Sequence, residues 1–388
     1  MQQRGWIDLL IIAAVALVVH GLLLVDSGVY FDDWLVYTFV VKRDWHLLTA
    51  IVRDRGIPPI EQYYWWMFRD LPVFGYRAAV FIMIIGSAWL AMLVGRASTF
   101  LSRQESLLVA VFIVCYSGFQ SWVLFCTSQY VFFYCLFLAA ALLAFQAERE
   151  QGWRHWARRG AALTLFATSY CLGSLLFLTM VFGVLLLLHI KKIRGLTILR
   201  LIVTGVPRRL DYFALPVIYW YGVHWLIPPR GLLEGYNTVL RSTDAIVSNL
   251  KQFAINSVAV QFRTGLDALG QHPSAIVAAV ALAVVVWSLG KRWGDPAPTP
   301  TKWLLPFALV WAIGAMFPYA AVNKPAAPIG WDTRHALLVS YPLGVAIVAL
   351  ARLFQPRRAT YMSLAAVLAV ISLPAGMAIT TMRTYVDL

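Results

Sequence analysis

Long apolar runs recur along the whole chain and set its reading before any single residue does. A helix that crosses a bilayer needs about 20 mostly apolar residues. Runs of that kind, punctuated by charges, Pro and Gly, are read at about 6–25, 76–95, 105–125, 128–146, 160–172, 174–190, 212–227, 273–290, 303–320, 336–351 and 359–380, eleven in all. The fifth and sixth are short. They meet at Ser169-Tyr170-Cys171-Leu172-Gly173-Ser174, either a tight turn between two helices or a break inside one. The runs are continuous rather than alternating, which argues against a transmembrane β-barrel. The predicted fold is an all-α polytopic bundle of about eleven spans, with amphipathic interfacial helices in the first long connection, 26–75.

Composition agrees. Of 388 residues, 61% are hydrophobic and 13% charged, and the mean hydropathy is +0.72. A soluble domain is near half apolar and a quarter charged. A cytosolic enzyme, a disulfide scaffold and a disordered chain are excluded. Residues 1–388 read as one transmembrane domain without a separate soluble one. The first run is long for a signal peptide and Val25-Asp26-Ser27-Gly28 is a poor cleavage site, so it reads as a retained anchor. Cys115, Cys126, Cys135 and Cys171 all fall in apolar runs without C-x-x-C spacing, and read as small buried side chains.

The net charge of +14 becomes informative once it is mapped. With the N-terminus cytoplasmic, the inner segments hold 19 of the 32 Lys and Arg against 6 of the 18 acids, and the outer segments are nearly neutral. Lys and Arg bias is what orients a polytopic chain. The basicity is therefore an orientation signal and a contact with anionic lipid heads. Nucleic acid is not an expected partner. The absence of an N-x-S/T sequon fits a bacterial cytoplasmic membrane.

Chemistry concentrates outside. The connection 26–75 holds seven acids and many aromatics, 228–271 carries mixed charges, and 321–335 carries Lys324, Asp332, Arg334 and His335. The sharpest feature is Tyr30-Phe31-Asp32-Asp33-Trp34, two adjacent carboxylates just past the first span. At that depth an ionised carboxylate is partly desolvated, and a second beside it raises the cost. One of the pair, Asp32 before Asp33, would act as general base on an acceptor hydroxyl. Together they would hold a divalent cation such as magnesium or manganese. Asp is also a good helix cap, and a helix starting at Trp34 would use it that way. The run 61–68 reads as an interfacial helix. Alternatively the aromatics Tyr30, Trp34, Tyr63, Tyr64, Trp65 and Trp331 stack on sugar rings or an isoprenoid tail.

The second feature is Gly330-Trp331-Asp332-Thr333-Arg334-His335, with Lys324 upstream. Arg suits a bidentate phosphate clamp and stays charged when desolvated. Arg334, His335 and Lys324 are the candidate phosphate ligands, or anchors to phospholipid heads. Arg77, also on the outer side, would join them, partner the carboxylates, or snorkel. The remaining histidines form no H-E-x-x-H, and there is no P-loop, so a zinc hydrolase and nucleotide-driven transport are not expected.

An N-terminal span, a diacidic motif opening a long outer loop, and about ten further spans resemble the GT-C class of membrane glycosyltransferases. Asp32-Asp33 matches that class's first-loop diacidic motif. Trp331-Asp332-Thr333-Arg334-His335 is similar to the late basic segment that meets the donor phosphate. The resemblance implies transfer of a sugar, with inversion, from a polyprenyl-phosphate donor to a lipid-linked glycan or cell-envelope polymer on the extracytoplasmic face. Competing readings are a lipid-linked-sugar flippase, for which Gly173-Ser174, Pro216 and Pro306 are the hints, an envelope-polymer ligase or polymerase, and a non-catalytic scaffold whose aspartates are only caps.

Overall fold

The computed structural model describes residues 2–26, 28–30, 33–190, 206–231, 234–235, 238–271, 276–277, 279–284, 301–353, 368 and 370–374. Every regular element among them is helical. Five stretches are long and apolar enough to cross a membrane: Gly5–Val25, Val73–Ser98, Phe125–Ala147, Leu304–Ala321 and Trp331–Ala351. They coincide with the first, second, fourth, ninth and tenth expected runs, and they are compatible with an integral membrane protein. Expected runs eight and eleven fall largely outside the described residues, as do Asp32 and the basic segments 191–205, 291–300 and 354–358.

Two expectations are refined. The run 105–125 is not one helix: α6 (Arg103–Cys115) stops, and 116–127 continues as a buried chain with short 3-10 turns. Tyr116-Ser117-Gly118 interrupts the apolar run, and the Tyr116 ring folds over Gly118, leaving no room there for a Cβ. The fifth and sixth runs are two helices, α8 (Trp153–Ser169) and α9 (Leu175–Ile190), with the chain reversing between them and the rings of Phe166 and Phe182 5.5 Å apart.

The remaining elements are α1 (Gln2–His20), α5 (Val73–Ser98), α7 (Ser128–Ala147), α10 (Leu210–Leu226), α13 (Thr301–Ala321) and α14 (Ser340–Ala351) in the bundle. The first long connection folds into α2 (Asp33–Lys42), α3 (Trp45–Asp54) and α4 (Ile60–Phe68). Asp44 starts α3 by accepting the Leu47 amide at 3.1 Å. The second connection is mostly helical too, with α11 (Thr243–Ala254), a π-helical turn Ile255–Val260 and α12 (Gln261–Gln271).

The two ends of the bundle are held differently. At the basic end, acids are consumed by arginine forks between helices. Arg103 grips Asp8 at 2.7 and 2.9 Å, Arg352 grips Glu105 at 2.8 Å twice, and Arg159 grips Asp211 at 2.6 Å twice. Glu105 also closes a capping box with Ser102 at the start of α6. At the loop end, backbone and amide hydrogen bonds join the connections to one another. Arg230 N–H donates to Asp54 O, Leu240 N–H to Ala321 O, Asn256 Nδ2 to Ala326 O and Gln261 Nε2 to Pro328 O, at 2.7 to 2.9 Å. The three connections 26–75, 228–271 and 321–335 thus meet at one end of the molecule.

Candidate functional site

The first connection begins with a buried knot. Tyr30 O–H donates to Asp26 Oδ1 at 2.9 Å, and Arg77, on α5, pairs with Asp26 at 3.1 Å and donates to Gly28 O at 2.7 Å. Both charged partners are fully buried. The Arg77 guanidinium also lies over the Phe125 ring, 4.4 Å from its centroid. Asp33 opens α2 with its own N–H on Tyr30 O, and its Oδ1 accepts the Cys126 amide at 2.9 Å. Burial raises the Asp33 carboxyl above the ordinary range, against the pull of the Cys126 amide and the Arg77 charge. This side chain ties the first connection to the 116–127 chain.

Several expectations change here. Arg77 keeps company with Asp26, Tyr30 and Asp33 rather than with Lys324 and Arg334. Tyr30, Tyr64 and Trp65 are core residues, 2 to 3% exposed, so their faces are not open to a sugar or a lipid. Tyr64 O–H donates to Ser128 Oγ at 2.6 Å, and its ring packs on Phe68 and Phe132. The reason is register. On the short helix α4, Glu61, Tyr64 and Trp65 turn inward, whereas Tyr63, Trp66 and Met67 face outward. Trp34 and Tyr63 remain exposed. At Asp33 the neighbours are amide donors and a guanidinium, which do not suit a divalent cation. Among the described residues no cluster of three acids, histidines or cysteines is placed to hold a metal.

The late segment is fastened to the same 116–127 chain from the other side. α13 ends at Ala321, Asn323 and Gly330 take left-handed backbone, and Trp331–Val339 winds as a 3-10 helix. Thr333 Oγ1 accepts the amides of Gln120 and Ser121 at 3.1 and 2.9 Å. Arg334, 6% exposed, stacks on the Trp331 ring at 4.2 Å and pairs with Asp332 at 3.0 Å. His335 stacks on Tyr319 at 4.4 Å, and the Tyr319 and Ser174 hydroxyls share a 3.0 Å hydrogen bond. Lys324 is held down at about 8 by burial and by the Arg334 charge. Arg55 of the first connection adds to the positive field at Lys324, and the charges of Arg55 and Arg334 are both felt at Tyr130.

Beside these cations is a small cleft, lined by Arg55, Ile57, Glu61, Gln129, Tyr130, Phe133, Cys171 and Leu172. It is built from the first connection, the start of α7 and the α8–α9 turn. The Ser169–Ser174 break is therefore a loop-end turn that borders the cleft. Asp33 and Arg334 are not among its walls. A second cavity lies inside the helical bundle, with His20, Ser87, Tyr116, Trp122 and Ser340 in an otherwise apolar lining.

In the sequence Glu61 reads only as one acid of the first connection and Cys171 as a small buried side chain in the 169–174 break, while Arg55, Gln129 and Tyr130 carry no signal of a site. Gln129, Tyr130 and Cys171 stand in apolar runs, where nothing but their place at a run's loop end marks them. Compared with protein-family models, with curated proteins and with solved structures, the chain matches none.

Proposed function

We propose that this protein is a GT-C-type glycosyltransferase that takes a sugar from a polyprenyl-phosphate donor and passes it to a lipid-linked glycan or envelope polymer. The observation that carries the reading is the gathering of Arg55, Lys324 and Arg334, from two separate connections, beside a loop-end cleft. A phosphate at the membrane edge meets such a cluster with its lipid tail still in the bilayer. In the transition state negative charge grows on the departing phosphate, and fixed cations in a partly dry site stabilise it there. Exposed Trp34 and Tyr63 would meet the lipid interface.

The test is transfer of labelled sugar by the full chain in nanodiscs, from undecaprenyl phosphates carrying glucose, mannose, galactose or arabinose, into extracted native lipid. A flippase would instead move the donor across vesicles without forming product, and that outcome would overturn the enzyme reading.

One pH effect follows. Lys324 is protonated below about 8 and loses its charge as pH rises past that value. An anionic donor binds the protonated form, so donor affinity falls severalfold between pH 7 and 9.5. Lys324→Arg, charged throughout, flattens the profile. Equal pH dependence in the two proteins would remove Lys324 from the phosphate site.

A further inference from the structure

The cleft carries an arrangement that the phosphate reading does not use. Glu61 is 3% exposed, and its Oε1 receives Arg55 at 3.4 Å. Its Oε2 has no hydrogen bond among the described residues, although the side chain lines the cleft. Gln129, also in the lining, is 6% exposed; its Nε2 donates to Cys126 O while its Oε1 is buried without a partner among the described residues. Buried acceptors left open are costly, at about 1–3 kcal/mol each and more for a charged group. An open Glu61 oxygen at the cleft, with an unpartnered Gln129 oxygen buried in the same lining, points to a ligand that brings a hydroxyl donor. Tyr130 and Phe133 also line it and add aromatic surface beside these polar groups.

We propose that this cleft receives the attacking hydroxyl of the acceptor, with Glu61 as the base that takes its proton and Gln129 as an orienting acceptor. The inference rests on the glycosyl-transfer reading and moves the base from the aspartate pair to the carboxylate that faces open space. Asp33 is fully buried and its Oδ1 is committed to the Cys126 amide. In the step itself, the acceptor oxygen forms the new bond to the anomeric carbon as the bond from that carbon to the phosphate oxygen breaks. The electron pair leaves on the polyprenyl phosphate. The hydroxyl proton moves to Glu61 Oε2 and from there to water. Arg55 holds the carboxylate in place from its other oxygen, between the acceptor and the leaving phosphate.

The test uses the full chain in nanodiscs of native lipid with the same four labelled donors. Donor binding and sugar transfer are measured separately for wild type, Glu61→Gln, Glu61→Asp, Gln129→Leu and Asp33→Asn. Glu61→Gln is expected to lower the transfer rate about a hundredfold or more, the range for loss of a general base, while donor affinity changes less than about threefold. Glu61→Asp keeps part of the rate. Gln129→Leu raises the acceptor KM about tenfold with kcat nearly unchanged. Transfer by Glu61→Gln within about threefold of wild type would overturn the assignment and leave the glycosyltransferase reading standing, as would loss of transfer only in Asp33→Asn. If Glu61→Gln does not fold, an unchanged acceptor KM in Gln129→Leu overturns the proposal by itself. A wild type that transfers from none of the four donors overturns the function, and the base with it.

Discussion

Arg77→Met is expected to destabilise the folded chain by about 3–5 kcal/mol, the range for removing one partner of a buried ion pair. Arg77 and Asp26 are both fully buried, 3.1 Å apart, and the Arg77 guanidinium also bonds Gly28 O and covers the Phe125 ring. Removing the cation leaves the buried Asp26 carboxylate with hydrogen bonds from the Tyr30 hydroxyl and the Gly28 amide but without the charge that compensates it. Replacing both charges is a different experiment. Asp26→Asn/Arg77→Met removes the uncompensated charge, and apolar or neutral replacement of a buried pair is often close to neutral. The double variant should recover more than half of the loss, as a coupling energy of opposite sign in a double-mutant cycle. Denaturant or thermal unfolding in nanodiscs measures it. A single variant as stable as wild type would mean that the pair contributes nothing to holding the first connection on α5.

That knot shows where the sequence was legible and where it was not. The apolar runs were long enough that composition alone placed five of them on helices able to cross a membrane, because hydrophobic length is a local property. The same logic overran at 105–125. There, Ser117-Gly118 and Gln120-Ser121 stop α6, and the backbone finds partners in Thr333, more than two hundred residues away. The loop end was legible as a side, since charge bias and aromatic content mark it. Its pairings were not. Nothing local distinguishes Asp26 from Asp33, yet one is paired with an arginine on the next long helix and the other accepts an amide of the 116–127 chain. Gln129 and Tyr130 were hidden for the opposite reason, because a polar group at the end of an apolar run reads as a helix start. Only the convergence of α4, α7 and the α8–α9 turn makes them walls of a cleft.

The second large effect is expected at Arg334, on the late segment Trp331–Val339. Its guanidinium is 6% exposed, stacked on Trp331, and paired with an Asp332 side chain that is itself 50% exposed. An exposed carboxylate is a weak competitor, since water already solvates it. A donor phosphate brings more charge and fits the guanidinium fork with two parallel hydrogen bonds. Arg334→Ala should therefore weaken donor binding by about 10- to 150-fold, the equivalent of about 1.5–3 kcal/mol for a charge-assisted bond, with little cost to folding because Asp332 can turn to water. Arg334→Lys should recover only part of the affinity. A lysine keeps the charge but loses both the fork and the flat contact with Trp331. Asp332→Asn separates the two roles of the pair. If Asp332 only orients Arg334, affinity falls in that variant too. If it competes with the ligand, as its exposure argues, affinity rises severalfold and the gain shrinks with added salt. Equilibrium binding of the labelled donor reads all three variants, and an unchanged Kd in Arg334→Ala would remove the late segment from the phosphate site.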